Sequence, residues 1–282
     1  MPDILPLADA VAKLDAKTPL GALLTSKDWE GVPLALRERA QFSAGVTSAR
    51  VLQTIQDRLS AELRQQRENV GEGRTATFDR NSFINSVRQI AIDEGLTPVK
   101  EEDRGTVRDI TSIPRLGLIY DMQKSMASGY ANHKFGMSEG ALDTYPGYRL
   151  TESTAAEPRP QIWWERRWAA AGAAVNWQGA IPGEFVALKT SPIWAALSRF
   201  GTPWPPFDWG STREVEDVDR AEAVALGLLR EQDVLGDHET DFNAGLQASV
   251  SGLSPAAVDQ LKKFFGQAAD FVGDVVKWAT GN

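Results

Sequence analysis

The chain has no cysteine and only two histidines among its 282 residues. Disulfides and thiolate nucleophiles are therefore excluded, and a zinc site would have to come from His133, His238 and carboxylates. The two histidines lie far apart with no partner at ligand spacing, so they read as an ordinary helix-end residue and a surface residue. Positive charge is also short. Thirty Lys and Arg face 38 Asp and Glu, for a net charge of -8 and a pI near 5.0. That balance speaks against wrapping nucleic acid nonspecifically, which needs many basic contacts to phosphate, although it leaves a local basic face open. Long apolar runs are missing too. No window reaches the roughly 20 apolar residues of a membrane span, and MPDILPLADAVAKLDAK has no basic segment followed by an apolar one. The expectation is a soluble protein made in the cytoplasm, with no membrane span.

What the chain does have is enough apolar material for a core, 42% of its residues. Tryptophan is abundant, nine in all, and Trp163, Trp164, Trp168, Trp177, Trp194, Trp204 and Trp209 crowd into one stretch. Its densest part is Phe200 to Val218, FGTPWPPFDWGSTREVEDV. Pro203, Pro205 and Pro206 fix φ and remove three backbone donors, so neither a helix nor a central strand runs through. Burial of Trp204, Phe207 and Trp209 can hold such a segment, with Gly201 and Gly210 allowing reversals. Trp204, Pro205, Pro206, Phe207 and Trp209 are thus expected to form a rigid structural corner.

Hydrophobic spacing sets the rest. Residues 3 to 40 suggest short helices broken by Pro and Gly, without a core of their own. Val46, Leu52, Ile55, Leu59 and Leu63 fall on one helical stripe, and NVGEGRTAT at 69–77 reads as a linker. A helix capped by Asp79 or Asn81 carries Phe83, Val87 and Ile90. Another opens at Ser112 and Pro114 and buries Leu116, Ile119, Tyr120, Gln123, Met126, Ala127 and Tyr130. Tyr148 to Thr151 is strand-like, and a small irregular β component is expected around it, through Pro158, Pro160 and QIWWERRWAAAG. Residues 213–219 read as a last strand leading to an N-cap at Asp219. Ser254-Pro255 starts a final helix whose apolar face, Leu261, Phe265, Val272, Val276 and Trp278, looks built to dock on a partner or on its own domain. The expectation is an α+β protein, helix-rich with a small irregular sheet. Its divisions are a helical arm at 1–75, an α+β domain at 76–235, a linker at 236–252 and an amphipathic docking helix at 253–282.

Several stretches taken together resemble bacteriophage minor head proteins, the head morphogenesis group similar to phage Mu F and SPP1 gp7. They are Leu36–Gln53, Arg115–Tyr130, Pro158–Gly172 and Ser191–Leu229, and their order and spacing carry the likeness. The resemblance implies a structural component bound to portal or inner capsid proteins. It would act in head assembly and in DNA packaging or ejection, with indirect contact to phage DNA. It also implies a virion location inside the head, with host cytoplasm during assembly. Where the wider family carries His and a Cys-Arg-Cys run, this chain has Asp208, Ser211 and Arg213, so a metal or cross-link proposed for those positions cannot operate here. No cofactor is implied.

The family domain is similar in fold to ADP-ribosyltransferases, which use an Arg, a Ser-Thr-Ser-like strand and a Glu-x-Glu in that order. Arg149, Ser153 within Thr151–Thr154, and Glu214-x-Glu216 match that order, with Glu216 placed to stabilise charge on a ribose. Such short matches arise easily, and a solvated strand edge accounts for the same residues. The acids from Glu214 to Asp219 lack the alternating ligands and central Gly of an EF-hand loop. Arg166 and Arg167 beside Trp164 and Trp168 read as cation–π packing within the fold in preference to a base-stacking surface.

Overall fold

The structure, a computed structural model, describes residues 4–22, 24–72, 79–96, 98, 100–151, 159–177, 183–236, 247–250, 253–266 and 269–278. Helices dominate and the strands are short, gathered in small sheets, as an α+β chain. Two compact units are present: 1–10 with 121–240, and 11–120 with 241–282. This division does not coincide with the expected boundaries at 75, 235 and 252. Spacing along the chain reports which face of an element is apolar, but not which distant segment covers it.

In the unit formed by 11–120 and 241–282, the helix Ser26–Gly31 opens on a capping box. Thr25 Oγ1 accepts from the Asp28 N–H at 3.1 Å, and the Asp28 carboxylate accepts from the Thr25 N–H at 2.9 Å. Trp29 stacks on Phe42 with ring centroids 4.2 Å apart. Leu20, Leu24, Val32 and Leu36 share one core with Leu261, Phe265 and Val276, so the broken N-terminal stretch is covered by the C-terminal segment. The predicted stripe Val46, Leu52, Ile55, Leu59 and Leu63 is buried, its last four residues on the helix Ala49–Gly71. Asp79 caps the helix Arg80–Asp93 by accepting from the Ser82 N–H at 2.8 Å.

The single helix expected over 253–282 is also corrected. Ser254 does cap a helix, but it spans only Pro255–Phe265. A hairpin follows, Ala269–Val272 with Val275–Trp278, and the second strand lies between the first and Gln247–Ser249, antiparallel to both. Gln247–Ser249 falls inside the segment expected as a linker. The β-branched Val272, Val275 and Val276 favour a pleated strand, and Gly273 supplies the turn at φ 60°. Leu261, Phe265 and Val276 are buried in their own unit. These three residues pack within the chain's own unit. Val272 is exposed on the hairpin, and the side chain of Trp278 lies outside the described residues.

The unit containing 121–240 is built on a three-stranded antiparallel sheet with Gly147–Leu150 in the centre, Val186–Leu188 on one side and Val215–Val218 on the other. QIWWERRWAAAG is helical, within Gln161–Ala174, and not part of the β component. Its Trp164, Trp168 and Ala171 pack with Ile193, Trp194, Leu197 and Phe207 against Tyr148 and Leu150 of the central strand. Asp219 caps the helix Arg220–Ala225, accepting from the Glu222 N–H at 2.8 Å. The division between the units falls inside the helix Ile113–Gly136. Leu116, Ile119, Tyr120 and Ala127 of its predicted stripe are buried, while Gln123, Met126 and Tyr130 are half-buried.

Candidate functional site

The tryptophan-rich corner is seated on the later turns of the helix Ile113–Gly136. Trp204 meets Tyr130 edge-on at 5.4 Å and lies 5.4 Å from the His133 ring. Gly129 is the seat. A Cβ there would come within 2.1 Å of the Pro205 carbonyl oxygen, so only glycine lets the Pro205–Pro206 backbone approach so closely. Phe207 stacks on Trp194 at 5.9 Å, and Trp209 meets Phe200 edge-on at 4.9 Å. Trp204 and Phe207 are buried while Trp209 is half-buried. The peptide between Pro205 and Pro206 is cis.

Aromatic packing does not act alone there. Asp208 is 1% exposed, and three guanidinium groups converge on its carboxylate: Arg159 at 3.3 Å, Arg167 at 3.2 Å and Arg199 at 3.7 Å. The Trp209 N–H donates to the same carboxylate at 2.7 Å. A buried carboxylate is costly unless paired and hydrogen-bonded, and here it is both. The arginines extend the tie. Arg159 donates to the Trp209 carbonyl at 2.8 Å and Arg167 to the Leu197 carbonyl at 2.6 Å, and both lie over the Trp163 ring at 5.2 and 4.9 Å. Burial holds the Arg167 guanidinium below its usual value, with Asp208 opposing that effect. One carboxylate thereby joins residues 159–167, 197–199 and 207–209.

Arg213 closes the far end of the corner. Buried, it donates to the Thr151 carbonyl at 3.2 Å and to Gln161 Oε1, with its guanidinium 5.4 Å from the Trp164 ring centroid. Asp208 and Arg213 are thus working members of the core.

Arg149 and Glu216 are brought together. They are direct partners across the central strand and Val215–Val218. Yet the Arg149 guanidinium is engaged by Glu222 at 2.7 Å, Glu184 at 3.1 Å and Glu216 at 3.5 Å. Its hydrogen bond to Glu222 is the main cause holding it above the usual arginine value. Glu214 is exposed at the start of that strand edge, and Ser153 lies outside the described residues. The side chain that would have to grip cofactor phosphates already serves three carboxylates.

Sequence reading missed a second buried cluster in the same unit. Lys189 is 2% exposed, with Nζ 2.6 Å from Asp217 and 4.8 Å from the Tyr148 ring centroid. His133, expected to be an ordinary helix-end residue, is 2% exposed beside them, and its Nδ1 has no hydrogen-bond partner. Gly136 leaves the room, since a Cβ there would fall 2.9 Å from the Tyr148 hydroxyl. Burial lowers the Lys189 pKa and raises that of Tyr148. The faint signal in sequence was alternation, which puts Tyr148 and Asp217 opposite each other on adjacent strands. His238 lies outside the described residues.

Among the described residues, no group of three or more His, Asp or Glu is placed to hold a metal ion, and no helix is long and apolar enough to cross a membrane. Comparison with protein-family models, with curated proteins and with solved structures gives no match.

Proposed function

We propose that this chain is a phage minor head protein with a structural role in head assembly, acting at or near the portal inside the head and contributing to DNA packaging or ejection. The observation that carries the reading is convergence. Pro158–Gly172 and Ser191–Leu229, separate stretches that resemble head morphogenesis proteins, supply Trp164 and Trp168, and Trp194 and Phe207, to one core. The later turns of a third stretch, Arg115–Tyr130, include the Gly129 seat of the corner. Two of the four stretches and the later part of a third thus contribute to one folding unit, while Leu36–Gln53 lies in the other. The partners are the portal protein, inner capsid proteins, or both.

The test is co-expression with a portal protein from the same genome, followed by affinity purification and by assembly of heads with and without this chain. Co-purification and incorporation into heads support the reading. Heads that assemble and package normally without it, together with no portal association, overturn it.

An NAD-using ADP-ribosyltransferase is the second reading, favoured by the direct pairing of Arg149 with Glu216 and opposed by the three carboxylates on Arg149. Incubation with labelled NAD and candidate acceptors discriminates. Label transfer or NAD hydrolysis that disappears in Glu216→Gln would establish the enzyme.

A further inference from the structure

Away from the corner, a cleft of about 640 Å³ opens along one face of the helix Gln161–Ala174. Sequence explains its existence. Glu165, Ala169 and Gly172 recur at helical spacing, and the small side chains at Ala169, Gly172 and Ala173 leave the helix face shallow. Among the described residues, Trp168, Trp177 and Phe185 line it with aromatic side chains. Trp177 stands nearly perpendicular to Trp168, at 85° and 5.4 Å between centroids, and Phe185 lies 5.6 Å from Trp168. Its size suits a small molecule, in the range of about 300 to 1,000 Å³ usual for such sites.

Among the described residues, the charges on its lining are of one sign. Glu165 and Glu184 contribute carboxylates, and no described lining residue is Lys or Arg. Glu165 is exposed and makes no ion pair among the described residues. Glu184 spends Oε2 on Arg149 at 3.1 Å. Aromatic rings beside carboxylates attract a cation through both ring quadrupole and charge. A hard metal ion is a poor fit, because it needs a shell of oxygen ligands that indole and phenyl walls do not offer. An anion meets two carboxylates, and a neutral apolar molecule gains nothing from them.

We propose that this cleft binds a small organic cation, an amine or quaternary ammonium, with its charge beside Glu165 and Glu184 and its apolar body against Trp168, Trp177 and Phe185. This site is independent of the proposed role in the head.

The probe is choline, compared by titration calorimetry with 3,3-dimethyl-1-butanol, its uncharged carbon isostere, on the full chain. Saturable choline binding, at least about tenfold tighter than the isostere, is expected. Glu165→Gln should weaken choline by about fivefold, and Ala169→Leu, which fills the cleft, should abolish binding. Both substitutions sit at exposed helical positions, and matching thermal unfolding with the parent confirms that each variant is folded. Absence of saturable choline binding overturns the proposal. So does equal affinity for the isostere, or undiminished binding in folded Ala169→Leu.

Discussion

His133 offers the sharpest test of the buried chemistry in the tryptophan-rich unit. It is 2% exposed, with Trp204 and Tyr148 around its ring and no partner for Nδ1. Burial first, and the neighbouring Lys189 charge second, pull its pKa from 6.5 to about 4. Between those values the unfolded chain binds a proton at this residue that the folded chain refuses, so stability falls as pH drops through the window. Above the upper value His133 costs nothing, and below the lower one the loss is complete. At ~1.4 kcal/mol per pH unit the full loss is about 3 kcal/mol, and at pH 5 it is already about 2 kcal/mol. The perturbation is His133→Phe, which keeps an aromatic ring at that position and cannot titrate. Urea unfolding of both proteins, followed by tryptophan fluorescence at about pH 7 and about pH 5, isolates the effect, because carboxylates common to both cancel in the difference. The variant should gain about 2 kcal/mol on the parent over that interval, whatever its absolute stability. Parallel pH dependences in the two proteins would refute the reasoning.

Other perturbations follow from the same structure. Asp208→Asn leaves Arg159, Arg167 and Arg199 around a neutral amide. It should cost about 3 kcal/mol in urea unfolding, toward the lower end for a broken buried pair because Arg199 is 45% exposed. Gly129→Ala drives a methyl into the Pro205 carbonyl and should destabilise by about 1 to 3 kcal/mol or more. Gly117→Ala meets only the mobile end of Arg80 and should stay within about 1 kcal/mol, with both read by thermal unfolding. Leu261→Ala, at a fully buried position beneath the C-terminal hairpin's unit core, should cost about 2 to 5 kcal/mol. A surface docking residue would cost almost nothing. Glu216→Gln, on a side chain 54% exposed, should alter stability by less than about 1 kcal/mol in the same assay.

The sequence by itself determined the elements whose cause is local. Asp79, Asp219 and Ser254 cap helices because their side chains reach backbone donors within the next turn. The stripe from Val46 to Leu63 and the strand at Tyr148 follow from spacing, and the corner at Trp204 to Trp209 from prolines that forbid anything regular. Tertiary structure alone decided which faces meet. The apolar residues after Ser254 fit a helix stripe, but Val272-Gly273-Asp274 turned them into a hairpin, and Leu261 found its cover in Leu20 to Leu36 far upstream. Asp208 stands between Phe207 and Trp209 in the sequence, with nothing local to mark it as the centre of a buried charge cluster. Its burial depends on arginines from two other segments, 159–167 and Arg199, arriving together, which no local pattern encodes. The same holds for Lys189, His133 and Tyr148, whose shared pocket exists because Gly136 leaves space for them. Caps and turns are written in neighbouring residues, whereas buried charge is settled by whichever distant partner can offset its desolvation.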